Sequence, residues 1–325
     1  MRIRLNVFQA WKKNNGTSHA FGTDRYRIRS IMPEYCLMTI LELLKASTEH
    51  LRSKGFSNPK TSCEILLAHA LGMKRLDLYL NFDRKVSQTD RDRFKELYKR
   101  RLEHEPLQYI TGETEFMSLP FRVDRNVLIP RPETEFVVEQ TMRIARTKWG
   151  GEPVSVLDIG AGCGNIAISL AHYLPNARII AYDISSEAVE VARANAVLNN
   201  LADRIEFNVR DIFDCKPEEH QELNIVISNP PYVAENDRSI LEKEVIDHEP
   251  HIALFAGEDG MKFFSHISGL ARSWLVPDGM IVFETGYNIG AQVVEAVTSA
   301  GYVNIQLQKD YARNDRLLTA DQPGP

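Results

Sequence analysis

Val154-Ser155-Val156-Leu157-Asp158-Ile159-Gly160-Ala161-Gly162-Cys163-Gly164-Asn165 is the stretch on which the fold turns. An apolar run, Val154 to Leu157, ends in a glycine-rich turn, and Ile166 to Tyr173 continues as a helix. The glycines let backbone approach a ligand closely, and the helix that follows presents free N–H groups. The alternation recurs downstream. Ala177 to Tyr182 reads as a second strand ending at Asp183, and Ser185 caps a helix to about Asn200. Ile205 to Val209 is a third strand ending near Asp211, and Leu223 to Ser228 is a fourth. Met280 to Phe283 is a fifth, ending at Glu284; a helix over Ile289 to Ala300 follows, then strands Val303 to Leu307 and Arg316 to Thr319. Repeated βα units of this length predict an α/β fold with a parallel sheet covered on both faces.

The glycine turn suits several nucleotides, and its neighbours narrow the choice. Asn165 follows Gly164, so the dinucleotide spacing GxGxxG is not met. An adenosyl group without a pyrophosphate fits better. Asp158 can support the loop or meet a cationic ligand. Asp183, at the end of the second strand, sits where an acid binds ribose hydroxyls. Asp211 is placed to reach an adenine amino group, and Ile212 to pack on the ring. The alternative for both acids is a structural one, capping helices or turns. The candidate cofactor residues are Gly160, Ala161, Gly162, Cys163, Gly164, Asp183, Asp211, Ile212 and also Asn229.

Asn229 belongs to the second decisive stretch, Ile225-Val226-Ile227-Ser228-Asn229-Pro230-Pro231-Tyr232. The β-branched run is a buried strand, and two prolines stop it because they cannot donate to a ladder. A rigid turn thus displays an amide, backbone carbonyls and a ring at a strand's carboxyl end, where open α/β sheets bind ligands. With S-adenosylmethionine as cofactor, the methyl acceptor must be a nitrogen held in line with the carbon–sulfur bond. An amide or aromatic amine is a poor nucleophile because its lone pair is delocalised. The Asn229 side-chain oxygen and the Pro230 carbonyl can accept both N–H protons and aim the lone pair at the methyl. Tyr232 can stack on the planar acceptor. Asn229, Pro230 and Tyr232 are the candidate catalytic residues, and Asn229, Pro230, Pro231 and Tyr232 the candidate substrate site.

Composition limits the alternatives. The 325 residues are 43% hydrophobic and 26% charged, ordinary for a globular protein of one large or two modest domains. The net charge is −5, with no overall footprint for nucleic acid. No apolar run approaches the ~20 residues of a membrane span. Four cysteines without CxxC spacing suit a reducing compartment and argue against disulfides or zinc.

Residues 1–37 differ: seven basic residues oppose two acidic ones, a surplus of five that leaves about −10 for residues 38–325. A poorly ordered extension is expected there. It reads either as a mitochondrial presequence or, in preference, as sequence upstream of a true start at Met38. Accordingly a cytoplasmic location is expected, and a mitochondrial one only if the segment is a genuine presequence.

Residues 38–105 read as a helical domain. Thr39-Ile40-Leu41-Glu42 forms a capping box, Gly55 and Gly72 stop two helices, Arg75 to Leu80 is a short third, and Ser87 caps a charged fourth to about His104. That last helix is expected to be a solvated face. Residues 106–130 suggest a hairpin linker, with strands Thr114 to Met117 and Pro120 to Val123. Ile129-Pro130-Arg131-Pro132-Glu133-Thr134-Glu135 opens the catalytic domain, residues 131–325, with Pro132 in a helix's first turn. The same prolines also fix the chain's approach to whatever lies beside it. His248 and His251 are spaced HxxH, but Pro250 breaks the helix that would align them, so no metal site is expected.

From Met38 onward the chain resembles the HemK/PrmC family of protein glutamine methyltransferases. The resemblance rests on Pro106-Leu107-Gln108-Tyr109-Ile110 with Gly112, the Arg131–Glu135 segment, Asp158-Ile159-Gly160 with Gly162 and Gly164, and Ser228 to Tyr232. Glu249-Pro250, Ala253-Leu254, Asp259-Gly260, Glu284-Thr285-Gly286 and Asp310 through Arg316 complete it. It implies a Rossmann-like class I S-adenosylmethionine methyltransferase sheet with a small N-terminal helical bundle. It further implies methyl transfer to the side-chain amide of the glutamine in the GGQ motif of class I peptide chain release factors. The helical domain would help hold that partner, and the GGQ loop would enter beside Asn229–Tyr232. Many relatives carry an aromatic residue where Ile212 stands. A monomer without membrane or direct nucleic-acid contact is expected. The rival reading is a DNA or RNA amine methyltransferase, which shares the Asn-Pro-Pro-Tyr chemistry but requires a basic face.

Overall fold

The structure is a computed structural model that describes residues 38–220 and 222–324. The expectations for residues 1–37 lie outside the described residues.

Four helices build the N-terminal part: α1 (Ile40–Ser53), α2 (Pro59–Leu71), α3 (Arg75–Leu80) and α4 (Gln88–Leu102). The capping box is made in full. Glu42 N donates to Thr39 Oγ1 at 3.2 Å, and Thr39 N donates to Glu42 Oε2 at 3.0 Å. Gly72 ends α2 in the left-handed region, at φ 62. Leu43, Leu51, Leu66, Leu67 and Phe94 form the buried centre of this bundle. The charged α4 is not only a solvated face, because Arg91, Phe94 and Arg101 turn inward.

Between the bundle and the sheet lies α5 (Leu107–Thr111), a short helix that the sequence reading left unassigned. Its neighbours Tyr109 and Ile110 are shared out. Ile110 joins the bundle core, while Tyr109 joins the sheet core and donates its hydroxyl to Val127 O at 2.5 Å. The hairpin pairs β1 (Glu113–Phe116) with β2 (Leu119–Arg122). It does more than link: Phe116 and Phe121 are buried with the sheet residues. Asn195 Oδ1 accepts from Arg122 N at 2.7 Å, and Asn195 Nδ2 donates to Arg122 O at 2.9 Å.

The catalytic part begins with α6 (Pro132–Trp149), then β3 (Val154–Ile159), α7 (Asn165–Tyr173), β4 (Ala177–Asp183), α8 (Ser186–Leu198), β5 (Ile205–Val209) and β6 (Leu223–Ser228). It continues with α9 (Lys243–His248), α10 (Lys262–Trp274), β7 (Leu275–Glu284), α11 (Gly290–Ser299), β8 (Val303–Lys309) and β9 (Asp315–Asp321). Seven strands form one sheet in the order β5-β4-β3-β6-β7-β9-β8. All neighbours from β5 to β7 are parallel, and β9 is antiparallel to both β7 and β8. An all-parallel sheet is therefore corrected at one strand. The turn between β8 and β9 is too short for a crossover, so β9 returns as a hairpin and slips in beside β7. The helix α10, absent from the sequence reading, buries Phe264, Ile267 and Trp274 against one face. No described helix is long and apolar enough to cross a membrane.

Candidate active site

Chain order reverses beside β3, with β4 on one side and β6 on the other. Crossovers leave in opposite directions there and open a crevice at the strands' carboxyl ends. Register sets its walls: Ile159 lies opposite Tyr182 on one flank and Ser228 on the other. The residues one step on are Gly160, Asp183 and Asn229. Ser228 Oγ ties the strand ends together, donating to Ile159 O at 2.6 Å.

The glycine loop is pinned from β4. Gly160 N and Ala161 N both donate to Tyr182 O, at 2.8 and 2.9 Å. Gly162 N donates to Asp183 Oδ2 at 2.8 Å, and Ser185 N to Asp183 Oδ1 at 2.9 Å. Asp183 thus fastens the loop and holds Ser185, the residue that caps α8, and each carboxylate oxygen keeps a lone pair. Burial raises its pKa, against the pull of the N–H groups of Ser185 and Gly162. Gly160 has φ +79, and a Cβ there would lie 3.9 Å from Asn229 O. Gly164 plays another part. A Cβ at Gly164 would meet Ile168, Ala192 and Phe207 at 3.0–3.4 Å, so this glycine serves helix-on-sheet packing.

Asp158 is fully buried and accepts from Ala167 N at 3.1 Å, which makes it a support of α7. Burial pushes its carboxyl up to about 7. Cys163 is buried too, and its thiol is pushed up to about 12. Asp211 caps a short 3-10 turn, its Oδ1 accepting from Phe213 N at 2.9 Å.

A cavity of about 320 Å³ lies over these strand ends. Gly160, Ala161, Gly162, Cys163, Asp183, Asp211, Ile212, Asn229, Pro230 and Pro231 all line it. Gly164 and Tyr232 do not. Phe213, Lys262 and Phe263 are among the lining residues that sequence reasoning missed. The two rings lie 5.2 Å apart, and Lys262 Nζ sits 4.4 Å from the Phe213 ring centre. An aromatic wall therefore stands next to Ile212 although Ile212 itself is aliphatic. Phe213 was adjacent to a named candidate, but Lys262 and Phe263 come from α10, which no local signal tied to the site.

The turn after β6 is braced from outside. Val233 N donates to Leu254 O at 2.9 Å, and Ala256 N to Val233 O at 3.0 Å. Gly260 has φ +74, and a Cβ there would overlap the Tyr232 carbonyl. Arg131 Nη2 donates to Glu249 Oε1 at 2.6 Å, joining the segment before α6 to the segment after α9 beside the cavity, which Pro130, Arg131 and Pro250 line. The Glu249 carboxyl is raised by burial and held down in part by Arg131. His248 and His251 each direct Nε2 to a main-chain carbonyl, Glu103 O at 3.0 Å and Ile246 O at 2.8 Å.

A Rossmann-like sheet with this strand order, and a glycine loop and an Asn-Pro-Pro turn meeting in one cavity, defines a methyltransferase that uses S-adenosylmethionine. The family comparisons agree: a methyltransferase small domain matches residues 146–252, and a PrmC N-terminal domain matches residues 42–112. A release factor glutamine methyltransferase of Chlorobaculum tepidum is 37% identical over 292 residues, covering 89% of this chain and 99% of the relative. Those of Rhodopirellula baltica and Flavobacterium psychrophilum are 36% and 38% identical, covering 86% and 76% of this chain and 95% and 86% of theirs. The chain belongs to the release factor glutamine methyltransferase family.

Proposed function

We propose that the protein transfers a methyl group from S-adenosylmethionine to the glutamine side-chain amide of the GGQ motif in class I peptide chain release factors. The observation that carries this reading is the meeting of Asn229-Pro230-Pro231 with the Asp183-pinned glycine loop in one cavity. The cavity fits the cofactor by its chemistry. Asp183 keeps acceptor capacity for ribose hydroxyls, and Asp211 keeps its second oxygen for an amino group. Ile212, Phe213 and Phe263 offer an apolar wall to a purine, and the start of α7 behind Gly162 favours a carboxylate.

The cofactor supplies an electrophilic methyl group; everything else falls to the chain. Asn229 Oδ1 and the Pro230 carbonyl accept the two amide protons of the substrate glutamine. That contact localises the nitrogen lone pair and aims it, and orientation of this kind is worth several kcal/mol. The prolines fix the carbonyl's direction, so little reorganisation is needed as charge develops. The product nitrogen sheds one proton, and no strong base stands in the turn. Solvent at the cavity mouth takes that proton.

The division into a substrate-holding bundle (38–105), a hairpin segment (106–130) and a catalytic domain (131–325) belongs to the same proposal. So does a cytoplasmic location, with which the free thiols of Cys63, Cys163 and Cys215 are compatible. The test is a methyl-transfer assay with labelled cofactor. A release factor should be labelled, and its GGQ-to-GGA variant and duplex DNA should not. Equal labelling of both release factors, or labelling of DNA alone, would overturn the reading.

A further inference from the structure

The apolar wall beside Asp211 does not stand alone, because the first turns of α10 hold it. Lys262 and His266 are four residues apart and so share a face of that helix. His266 Nε2 lies 2.9 Å from Ile212 O. A carbonyl only accepts, so Nε2 carries the proton and the imidazole donates. The same imidazole lies against the Phe213 ring, with centroids 4.5 Å apart and planes inclined by 37°. The Phe263 ring reaches Phe213 at 5.2 Å, and Lys262 Nζ sits 4.4 Å from the Phe213 ring centre.

The other side of this turn is fixed from the sheet. Arg210 N donates to Asp183 O at 2.8 Å, Asp211 Oδ1 accepts from Phe213 N at 2.9 Å, and Asp214 N donates to Asp211 O at 3.1 Å. These bonds run within the turn and to β4, and the bond of His266 ties the turn to α10. An aliphatic side chain at position 266 would pack on Phe213 as well, but it would fix no direction. A hydrogen bond sets where the Ile212 main chain lies, and with it the reach of the adjacent Asp211. Asp211, Ile212, Phe213, Lys262 and Phe263 line the cavity, whereas His266 stands behind them. It can act on a ligand only through that turn.

We propose that His266 is a positioning residue for the adenine of the cofactor. By donating to Ile212 O it sets the Asp211 carboxylate within hydrogen-bond reach of the adenine amino group, and the site thereby selects adenine over other purines. The inference deepens the cofactor reading above and rests on its placement of the adenine at Asp211.

The test is calorimetry on the full chain with two probes, S-adenosylhomocysteine and S-inosylhomocysteine. The second carries a carbonyl oxygen where the first carries the amino group. A carboxylate facing that oxygen is left unpaired, so the wild type should prefer the adenosyl probe by about tenfold or more. His266→Leu removes the donor and should cut this preference to about threefold or less, chiefly by weakening the adenosyl probe. His266→Gln places a side-chain N–H group near the former Nε2 and should bring the preference back to within about twofold of wild type. His266→Asn is too short to reach Ile212 O; it should behave as the Leu variant does and replaces it where that variant does not accumulate as folded protein. At saturating S-adenosylmethionine, kcat should stay within about twofold of wild type in every variant, because the reacting methyl lies away from the adenine. An unchanged preference in the Leu and Asn variants would overturn the proposal. Equal weakening of both probes, or a Gln variant no better than Leu, would mark a merely structural role and overturn it too. A wild type that binds the two probes equally would instead sink the placement of the adenine at Asp211.

Discussion

At the scale of single residues, two acids with the same local signature turn out to do different work. Asp158 lies one residue before the end of β3 and Asp183 ends β4, both beside the glycine loop. Asp183 borders the cavity, whereas Asp158 is sealed behind it with Oδ1 unpartnered. A buried carboxyl raised from 3.8 to about 7 binds its proton more tightly in the folded state than in the unfolded one. Its contribution is therefore most favourable below the unfolded pKa and is lost as pH rises through about 7. Asp158→Asn, which cannot ionise, should gain stability relative to wild type over that window, by roughly 1–3 kcal/mol at pH 8. Melting curves of both proteins at pH 5 and pH 8 check this; a difference independent of pH would contradict the assignment. Asn229→Ala should remove methyl transfer, by about 100-fold or more, and leave cofactor affinity nearly intact. Turnover and calorimetry on one preparation decide it, and an equally steep fall in affinity would deny Asn229 its acceptor role. Gly160, Gly162, Asp183 and Asn229 were legible as cavity residues because strand ends and turns are written locally. Phe213, Lys262 and Phe263 were not, since only tertiary packing brings α10 to the cavity. Tyr232, expected in the substrate site, does not line the cavity, because an aromatic side chain after two prolines does not announce which way it points.

At the scale of elements, the recurring logic is that of strand ends locked in register, with small residues where another backbone or ring must pass. The parallel strands were readable as apolar runs bounded by turns. The place of β9 was not, because the antiparallel insertion depends on a short turn after β8 and on β7 offering an open edge. Likewise the hairpin β1–β2 read as a linker, since its alternation is only four residues long on each side and its anchoring partner, Asn195, lies in a distant helix. Two glycines behind the acceptor turn give an element-level prediction. Gly286→Ala puts a methyl group 3.1 Å from the Tyr232 ring, too close for both to stay. The ring and the end of β7 must shift apart by a few tenths of an ångström. Overpacking of this kind costs about 1–3 kcal/mol. Turnover should fall more than stability does, because the displaced element is the acceptor clamp. Kinetics alongside chemical denaturation separate the two, and a variant with normal kcat would show that the turn tolerates the shift.

At the scale of the whole molecule, the question is how a helical bundle with its own core is held at a useful angle to the cavity. The bundle meets the catalytic part through α5, whose Ile110 and Tyr109 enter the two cores, and through a set of polar contacts around α9. Arg101, 4% exposed, donates Nη1 to Glu105 O at 2.9 Å and pairs through Nη2 with Glu244, while its guanidinium carbon lies 4.9 Å from the Phe56 ring centre. His248 reaches Glu103 O at 3.0 Å beside it. The segment carrying Glu244 and His248 runs directly into Glu249, which clasps Arg131 beside the cavity. One short stretch, residues 243–250, therefore touches both the bundle and the cavity wall. The bundle was legible from its capping box and stop glycines, but this junction was not, because its charges looked like any solvated face. Removing Arg101 leaves Glu244 partly exposed at 28%, so water can rescue the acid and the loss is smaller than for a fully buried pair. Arg101→Met should cost about 1–2 kcal/mol of stability, since it removes the guanidinium that lies over the Phe56 ring and pairs with Glu244 but keeps an unbranched apolar side chain. Its effect on catalysis should depend on the size of the substrate. On the proposed role of the bundle, a whole release factor engages bundle and cavity together, so its KM should rise several-fold once the bundle's angle loosens. A short peptide carrying only the GGQ motif engages the cavity alone, and its kcat/KM should stay within about twofold of wild type. Equal losses for peptide and protein would place Arg101 in the support of the cavity itself. No loss for either would mean that the junction does not set the angle at which the partner is received.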